Sequence, residues 1–128
     1  LIKAIEAYSD ENNFDRDTKI RKRNEIFQYC EDCMNQKKEI QLSVISALIN
    51  PEDAGSFQEF ASNEEYGVSS VISGDKARMK TIKFVTYRDK KMTVEFDYNL
   101  LGKDVFYDDK KKELTIKNLP ERLTNQIP

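Results

Sequence analysis

The chain has 128 residues and a mass of 15.0 kDa, which is enough for one domain with a hydrophobic core of its own. Hydrophobic residues make up 38% of it, with seven Phe and six Tyr, so it is not a disordered tail. No apolar run approaches the roughly 18 residues of a membrane-spanning helix. It contains no His, which excludes His-dependent acid–base catalysis, catalytic triads and His-ligated metals within these residues.

Charge is distributed unevenly along the chain, although the formal net charge is only −2. Residues 42–75 carry six acidic side chains and no Lys or Arg, whereas residues 76–128 carry thirteen basic and eight acidic side chains. The basic surplus therefore lies in the last two fifths of the chain, where contacts with an anionic partner are to be sought.

The first half of the chain has the periodicity of helices. Apolar residues recur at helical spacing in residues 1–8, 14–38 and 40–49, and a short helix is predicted after Pro51, over residues 51–62. Residues 66–80 are ambiguous, because VSSVIS fits a strand or a loop and DKARMK fits one helical turn. About residues 1–63 are thus expected to be helical.

After residue 80 the apolar period changes from 3.6 to 2, which predicts strands. Residues 81–88, 92–98, 104–108 and 114–117 suggest an antiparallel meander of three to four strands, closed by a short helix that opens at Pro120. Sheet and closing helix occupy about residues 81–128. The fold class is predicted to be α+β, with helices first and a small sheet last, in a single domain over residues 1–128.

Two features resemble enzyme or metal motifs but lack the rest of the site. Cys30 and Cys33 form a CxxC pair inside a predicted helix, without a preceding strand or further Cys or His, so two buried helix cysteines are the simpler interpretation. Four isolated glycines form no phosphate-binding loop. We therefore predict no catalytic residues, no metal, no cofactor and no enzymatic activity. Two free thiols are compatible with a reducing cytoplasm.

Basic clusters in two predicted turns are the candidates for nucleic-acid contacts. One turn carries Arg88, Lys90 and Lys91, and the other carries Lys110, Lys111 and Lys112. If both turns lie at one edge of the sheet, they form a patch that can neutralise several phosphates. The alternative is that they are ordinary solubilising turns, diluted by Asp89, Asp108 and Asp109. Residues 19–23, KIRKR, are a third basic candidate with the same alternative.

A protein-interaction or dimerisation domain is the competing hypothesis. In that case the long helix is expected to expose Ile26, Cys30 and Cys33 along a seam that a second copy covers. This hypothesis requires no direct contact with DNA.

The last third of the chain resembles a known family in a series of short strings. Its residues 104–108 read DVFYD, residues 114–120 read LTIKNLP, and Leu123 and Gln126 follow. Upstream, residues 94–101 and parts of residues 29–60 fit as well, so that the similarity covers residues 14–127. In these strings the chain resembles the C-terminal domain of the bacterial nucleoid-associated protein family of the 37 kDa (NdpA) type.

This resemblance implies a cytoplasmic protein of the bacterial nucleoid, with DNA as a direct or indirect partner. The prediction that it is non-enzymatic rests on the missing catalytic motifs, and the prediction that it has no membrane partner rests on the missing apolar run. The resemblance also implies that the chain is the C-terminal part of a longer protein. The matching tail has a structural explanation too. Val105, Tyr107, Leu114 and Ile116 are predicted to face a core, and Leu119, Pro120 and Leu123 are predicted to dock the last helix onto the sheet.

Overall fold

The computed structural model describes all residues from Leu1 to Pro128 and is α+β, as predicted. It contains six α-helices and six short strands. The helices are α1 (Ile2–Glu11), α2 (Arg16–Asn35), α3 (Leu42–Ile49), α4 (Ser56–Ala61), α5 (Lys76–Lys83) and α6 (Glu121–Thr124). The strands are β1 (Ile40–Gln41), β2 (Val71–Ile72), β3 (Phe84–Arg88), β4 (Thr93–Asp97), β5 (Val105–Asp108) and β6 (Glu113–Ile116), and 3₁₀ turns lie at Pro51–Asp53 and Tyr98–Leu100.

The chain divides into two compact units, Leu1–Phe84 and Val85–Pro128. The boundary lies close to the residue at which the apolar period changes. The first unit contains all helices except α6, together with the short β1–β2 pair, which joins Ile40 to Ile72 and Gln41 to Val71. No helix is both long and apolar enough to cross a membrane.

The first unit encloses a continuous core. Tyr8, on α1, has its ring edge-on to three phenylalanine rings, Phe14, Phe57 and Phe60, with centroids 5.2–6.2 Å apart. Phe57 on α4 and Ile26 on α2 are both fully buried. Edge-to-face ring contacts add to the stabilisation that burial of apolar surface gives. The helices predicted from the periodicity of residues 1–62 therefore pack around one shared core.

Helix α2 follows the prediction at its start and ends earlier than predicted. The Asp15 carboxylate accepts a hydrogen bond from the Thr18 N–H at 2.7 Å, which caps the helix at its N-terminus. The helix ends at Asn35 because Lys37 adopts a left-handed backbone with φ of 55°. The Lys38 N–H then donates to the Cys33 carbonyl, which closes the last turn.

Helix α5 corrects the prediction of a strand from residue 81. Residues 81–83 are helical because Met79 and Ile82, three residues apart, are both buried on the side of α5 that packs on α2. The Asp75 carboxylate caps this helix by accepting from the N–H groups of Ala77 and Arg78. Tertiary burial here overrides the β propensity of Thr81 and Ile82.

The second unit contains the four predicted strands, but they form two separate hairpins rather than one meander. Strand β3 pairs with β4, and β5 pairs with β6. In the second hairpin, Val105 lies opposite Ile116, and Tyr107 lies opposite Leu114. Of these four residues, only Val105 is buried. The prediction that Tyr107, Leu114 and Ile116 face a core is therefore wrong, and Leu119, Pro120 and Leu123 are also exposed.

Candidate nucleic-acid interface

The first basic turn comprises residues 88–91, which begin at the last residue of β3 and continue into the connection to β4, and it is held by Asp89. The Asp89 carboxylate accepts hydrogen bonds from the backbone N–H groups of Lys91 and Met92, both at 2.8 Å, and the Asp89 N–H donates to the Met92 carbonyl. An Asp side chain that binds the backbone two and three residues ahead stabilises a tight turn. This explains how the hairpin closes without the Asn-Gly pair typical of such turns.

The second basic turn comprises residues 109–112, between β5 and β6, and it uses the same arrangement. The Asp108 carboxylate accepts from the backbone N–H groups of Lys110 and Lys111, both at 3.1 Å. Lys112 has a left-handed backbone with φ of 56°, and its ammonium group lies 3.1 Å from the Asp109 carboxylate. Both turns thus present lysines on a backbone fixed by an aspartate.

The aspartates of the turns leave most of the cations without a side-chain counter-ion. The Tyr87 hydroxyl and the N–H groups of Lys91 and Met92 lower the pKa of Asp89, so this carboxylate stays charged while it binds the turn. Among the six predicted site residues, only Lys112 forms an ion pair. The other five are exposed and form none: Arg88, Lys90, Lys91, Lys110 and Lys111.

The two basic turns belong to different sheets. The first closes the β3–β4 hairpin and the second closes the β5–β6 hairpin, and no ladder joins the two pairs. The expected single sheet edge carrying both turns is therefore absent. Each turn closes its own hairpin and is cationic, with a formal charge of +2 for residues 88–91 and +2 for residues 109–112.

The third basic candidate, residues 19–23, has a structural role. Arg23 is buried, and its guanidinium lies 3.4 Å from both the Ile82 carbonyl and the Glu6 carboxylate. Lys22 donates to the Leu48 carbonyl, and Lys19 pairs with Asp10 at 2.6 Å. These side chains connect α2 to its neighbours, so they are not a free surface for phosphate.

Ile26, Cys30 and Cys33 lie in the core of the first unit and not on an exposed seam. Ile26 and Cys30 are fully buried and Cys33 is nearly so. Spaced at three and four residues, they form the stripe of α2 that packs on its own chain. Burial, and to a lesser extent Cys33, raise the pKa of Cys30 to about 11, so this thiol is a poor nucleophile and metal ligand. The expectation that these three side chains are exposed is wrong.

The basic side chains of helix α5 are a feature that sequence reasoning missed. Four basic residues lie on α5: Lys76, Arg78, Lys80 and Lys83. Two of them contact aromatic rings, since the Lys80 ammonium lies 5.6 Å from the Phe84 ring centre and that of Lys83 lies 5.4 Å from the Phe27 ring centre. The spacing of Met79 and Ile82 was the available signal for this helix.

Comparison with known proteins gives consistent matches. The profile of the family described as nucleoid-associated protein YejK matches residues 1–124. A nucleoid-associated protein of Glaesserella parasuis is 29% identical over 127 residues, and one of Pectobacterium carotovorum is 27% identical over the same length. A third, from Photobacterium profundum, is 27% identical over 128 residues. Each alignment covers 99% of this chain and 38% of the relative.

The chain therefore spans less than two fifths of the length of these relatives. The family match agrees with the strings in residues 104–126, and it extends over the helical first unit as well. On the evidence of the match to residues 1–124, this chain belongs to the family of bacterial nucleoid-associated proteins of the YejK type.

Proposed function

We propose that the chain contributes non-enzymatic DNA contacts to a nucleoid-associated protein, through the phosphate backbone and the two basic turns. The observation that carries this proposal is the set of five exposed, unpaired cations at the turns, Arg88, Lys90, Lys91, Lys110 and Lys111. Membership of the family implies a location at the bacterial nucleoid, in the cytoplasm.

The chemistry of the turns suits phosphate rather than base edges. A lysine ammonium is a flexible point charge that binds a phosphate oxygen without reading the sequence beside it. The Asp89 and Asp108 carboxylates accept backbone N–H groups of their turns, and neither forms an ion pair with Lys90, Lys91, Lys110 or Lys111. Each bound phosphate releases condensed counter-ions, so we expect binding to weaken as salt rises.

The remaining charge of the chain determines which surface approaches DNA. Residues 42–75 carry six carboxylates and no basic residue, so DNA repels this segment. Residues 85–128 carry nine basic and eight acidic side chains. Because the net charge of these residues is only +1, we expect the chain to bind DNA with modest affinity. We expect the contacts to lie at the two turns and not over the whole unit.

Charge reversal in the second turn tests the proposal. We expect Lys110→Glu together with Lys111→Glu to weaken duplex binding by roughly tenfold or more at low salt, equally on unrelated sequences, because two phosphate contacts are lost. The salt slope, d log K/d log [salt], should become shallower by about 2. Fluorescence anisotropy of labelled duplexes at several salt concentrations measures both quantities.

A matched control separates local contacts from overall charge. Lys3→Glu with Lys103→Glu changes the net charge by the same amount, and both lysines are exposed and lie outside the turns. We expect this variant to bind DNA nearly as the unmodified chain does. Unchanged affinity of the turn variant, or an equal loss in the control, would rule out the turns as the DNA contact.

A further inference from the structure

An apolar hollow lies where α5 packs on α2, within the first unit. It has a volume of about 350 Å³, and its apolar lining is formed by Phe27, Met34, Met79 and Phe84. Met79 is nearly buried, whereas the other three are half-buried and keep apolar surface open to solvent. Methionine and aromatic side chains adapt to apolar groups of different shapes, so this lining has the character of a binding surface.

A second hollow extends the first towards the β1–β2 pair. It has a volume of about 590 Å³, shares Met34 and Lys76 with the first, and adds the apolar side chains of Val71 and Ile72. Gly74 borders it, and a Cβ at this residue would lie 3.2 Å from the Met34 Cγ, so the missing side chain leaves room there. The two hollows together, which we call the α2–α5 groove, have room for several residues of a bound chain.

The rim of the α2–α5 groove is basic. Four lysines and two glutamates line it: Lys37, Lys38, Lys76, Lys80, Glu31 and Glu39. The formal charge of these six residues is +2, whereas the first unit as a whole has twelve basic and fifteen acidic side chains, or −3. Lys37, Lys38 and Lys76 form no ion pair. The groove is therefore a cationic site on a net acidic unit.

Two lysines of α5 hold their ammonium groups above the aromatic part of the lining. The Lys80 ammonium lies 5.6 Å from the Phe84 ring centre, and that of Lys83 lies 5.4 Å from the Phe27 ring centre. An apolar side chain that enters the groove beside these rings brings its flanking residues next to the two ammonium groups. A carboxylate on a flanking residue then meets a cation beside an apolar surface, where attraction between charges is stronger than in bulk water.

We propose that the α2–α5 groove binds an acidic peptide segment of a partner protein, with apolar side chains of the segment in the groove and its carboxylates at the lysines of the rim. The apolar lining and the basic rim together define this occupant. A DNA duplex presents phosphates and no apolar side groups on its outside, so it would leave the lining unused. The surplus of carboxylates on the first unit also repels a long polyanion.

Fluorescence anisotropy of labelled synthetic peptides titrated with the chain tests the proposal. The probes are short peptides built from Leu, Phe, Asp and Glu, some with the apolar residues at helical spacing and some with alternating apolar residues. We expect saturable binding of at least one of the two patterns. Matched peptides in which Lys replaces Asp and Glu should not bind, and peptides in which Ser replaces Leu and Phe should bind at least tenfold more weakly.

Two variants of the groove locate the binding. Lys76→Glu with Lys80→Glu reverses two exposed charges of the rim and should weaken binding of the acidic peptide by roughly tenfold or more. Met34→Gln keeps the length of the side chain but makes the lining polar, and it should weaken binding by roughly fivefold. Met34→Leu keeps the lining apolar and should bind nearly as the unmodified chain does. Circular dichroism confirms that each variant is folded.

The turn variant Lys110→Glu with Lys111→Glu is the matched control, because it changes the net charge by the same amount away from the groove. It should keep the affinity for the peptide, whereas Lys76→Glu with Lys80→Glu should keep the affinity for duplex DNA. The peptide titrations contain no DNA, so their outcome is independent of the proposed function.

The proposal is overturned if neither peptide pattern binds, or if the serine peptides bind as tightly as the apolar ones, which would leave only unspecific attraction of charge. It is also overturned if the turn control weakens peptide binding as much as the groove variant. Loss of DNA binding in the Lys76→Glu, Lys80→Glu variant would instead assign the groove to nucleic acid and contradict a peptide site.

Discussion

Ile26→Asp is expected to unfold the first unit rather than to dissociate an assembly. Ile26 is fully buried within the stripe of α2 that includes Cys30 and Cys33. An unpaired carboxylate at this position is desolvated without a partner and costs more than about 4 kcal/mol, which approaches the whole stability of a typical domain. Far-ultraviolet circular dichroism and urea denaturation should show loss of cooperative helical structure.

Two controls make this result specific. Ile26→Val keeps the site apolar and should cost only about 0.5–1.5 kcal/mol. Arg21→Asp introduces the same carboxylate at an exposed position of α2 and should leave the unit folded. If Ile26→Asp remained folded and changed only the oligomeric state, the burial of this stripe within one chain would be contradicted.

Phe57→Ala is expected to lower the free energy of unfolding by about 3–5 kcal/mol. Phe57 is fully buried, and its ring lies edge-on to Tyr8 with centroids 5.2 Å apart. The substitution removes the buried ring and leaves a cavity where α4 meets α1. Urea denaturation followed by circular dichroism gives the midpoint and slope from which this difference is obtained.

Phe57→Leu is the matched control, since it retains most of the apolar volume and removes the ring contact. It should cost clearly less than the alanine variant. A loss below about 1 kcal/mol for Phe57→Ala would mean that α4 contributes little to the core, against the packing described above.

The helices of the first unit were predictable because their signals are local. The stripe of Ile26, Cys30 and Cys33 is visible in the sequence, and it is found in α2. Whether that stripe faces its own chain or a partner was not predictable. An apolar helix face has the same pattern in both cases, and only the positions of the neighbouring helices decide between them.

The second unit was predictable strand by strand but not as an assembly. The alternation of apolar and polar residues correctly placed strands β4, β5 and β6. It did not show whether the two hairpins join into one sheet, because that depends on contacts that the alternation does not encode. The same limit applies to the candidate site. The lysines of the two turns were found from sequence, and their separation onto two sheets was not. Burial of Tyr107, Leu114 and Ile116 was inferred from apolar alternation, which marks a face to be covered without identifying what covers it.

Family membership and the basic turns lead to one central claim, that this chain itself contacts the phosphate backbone of DNA. The most direct test is fluorescence anisotropy of a labelled DNA duplex titrated with the unmodified chain at a low and a near-physiological salt concentration. We predict binding at low salt that weakens steeply with salt and is the same for unrelated sequences. Absence of binding even at low salt would contradict the claim.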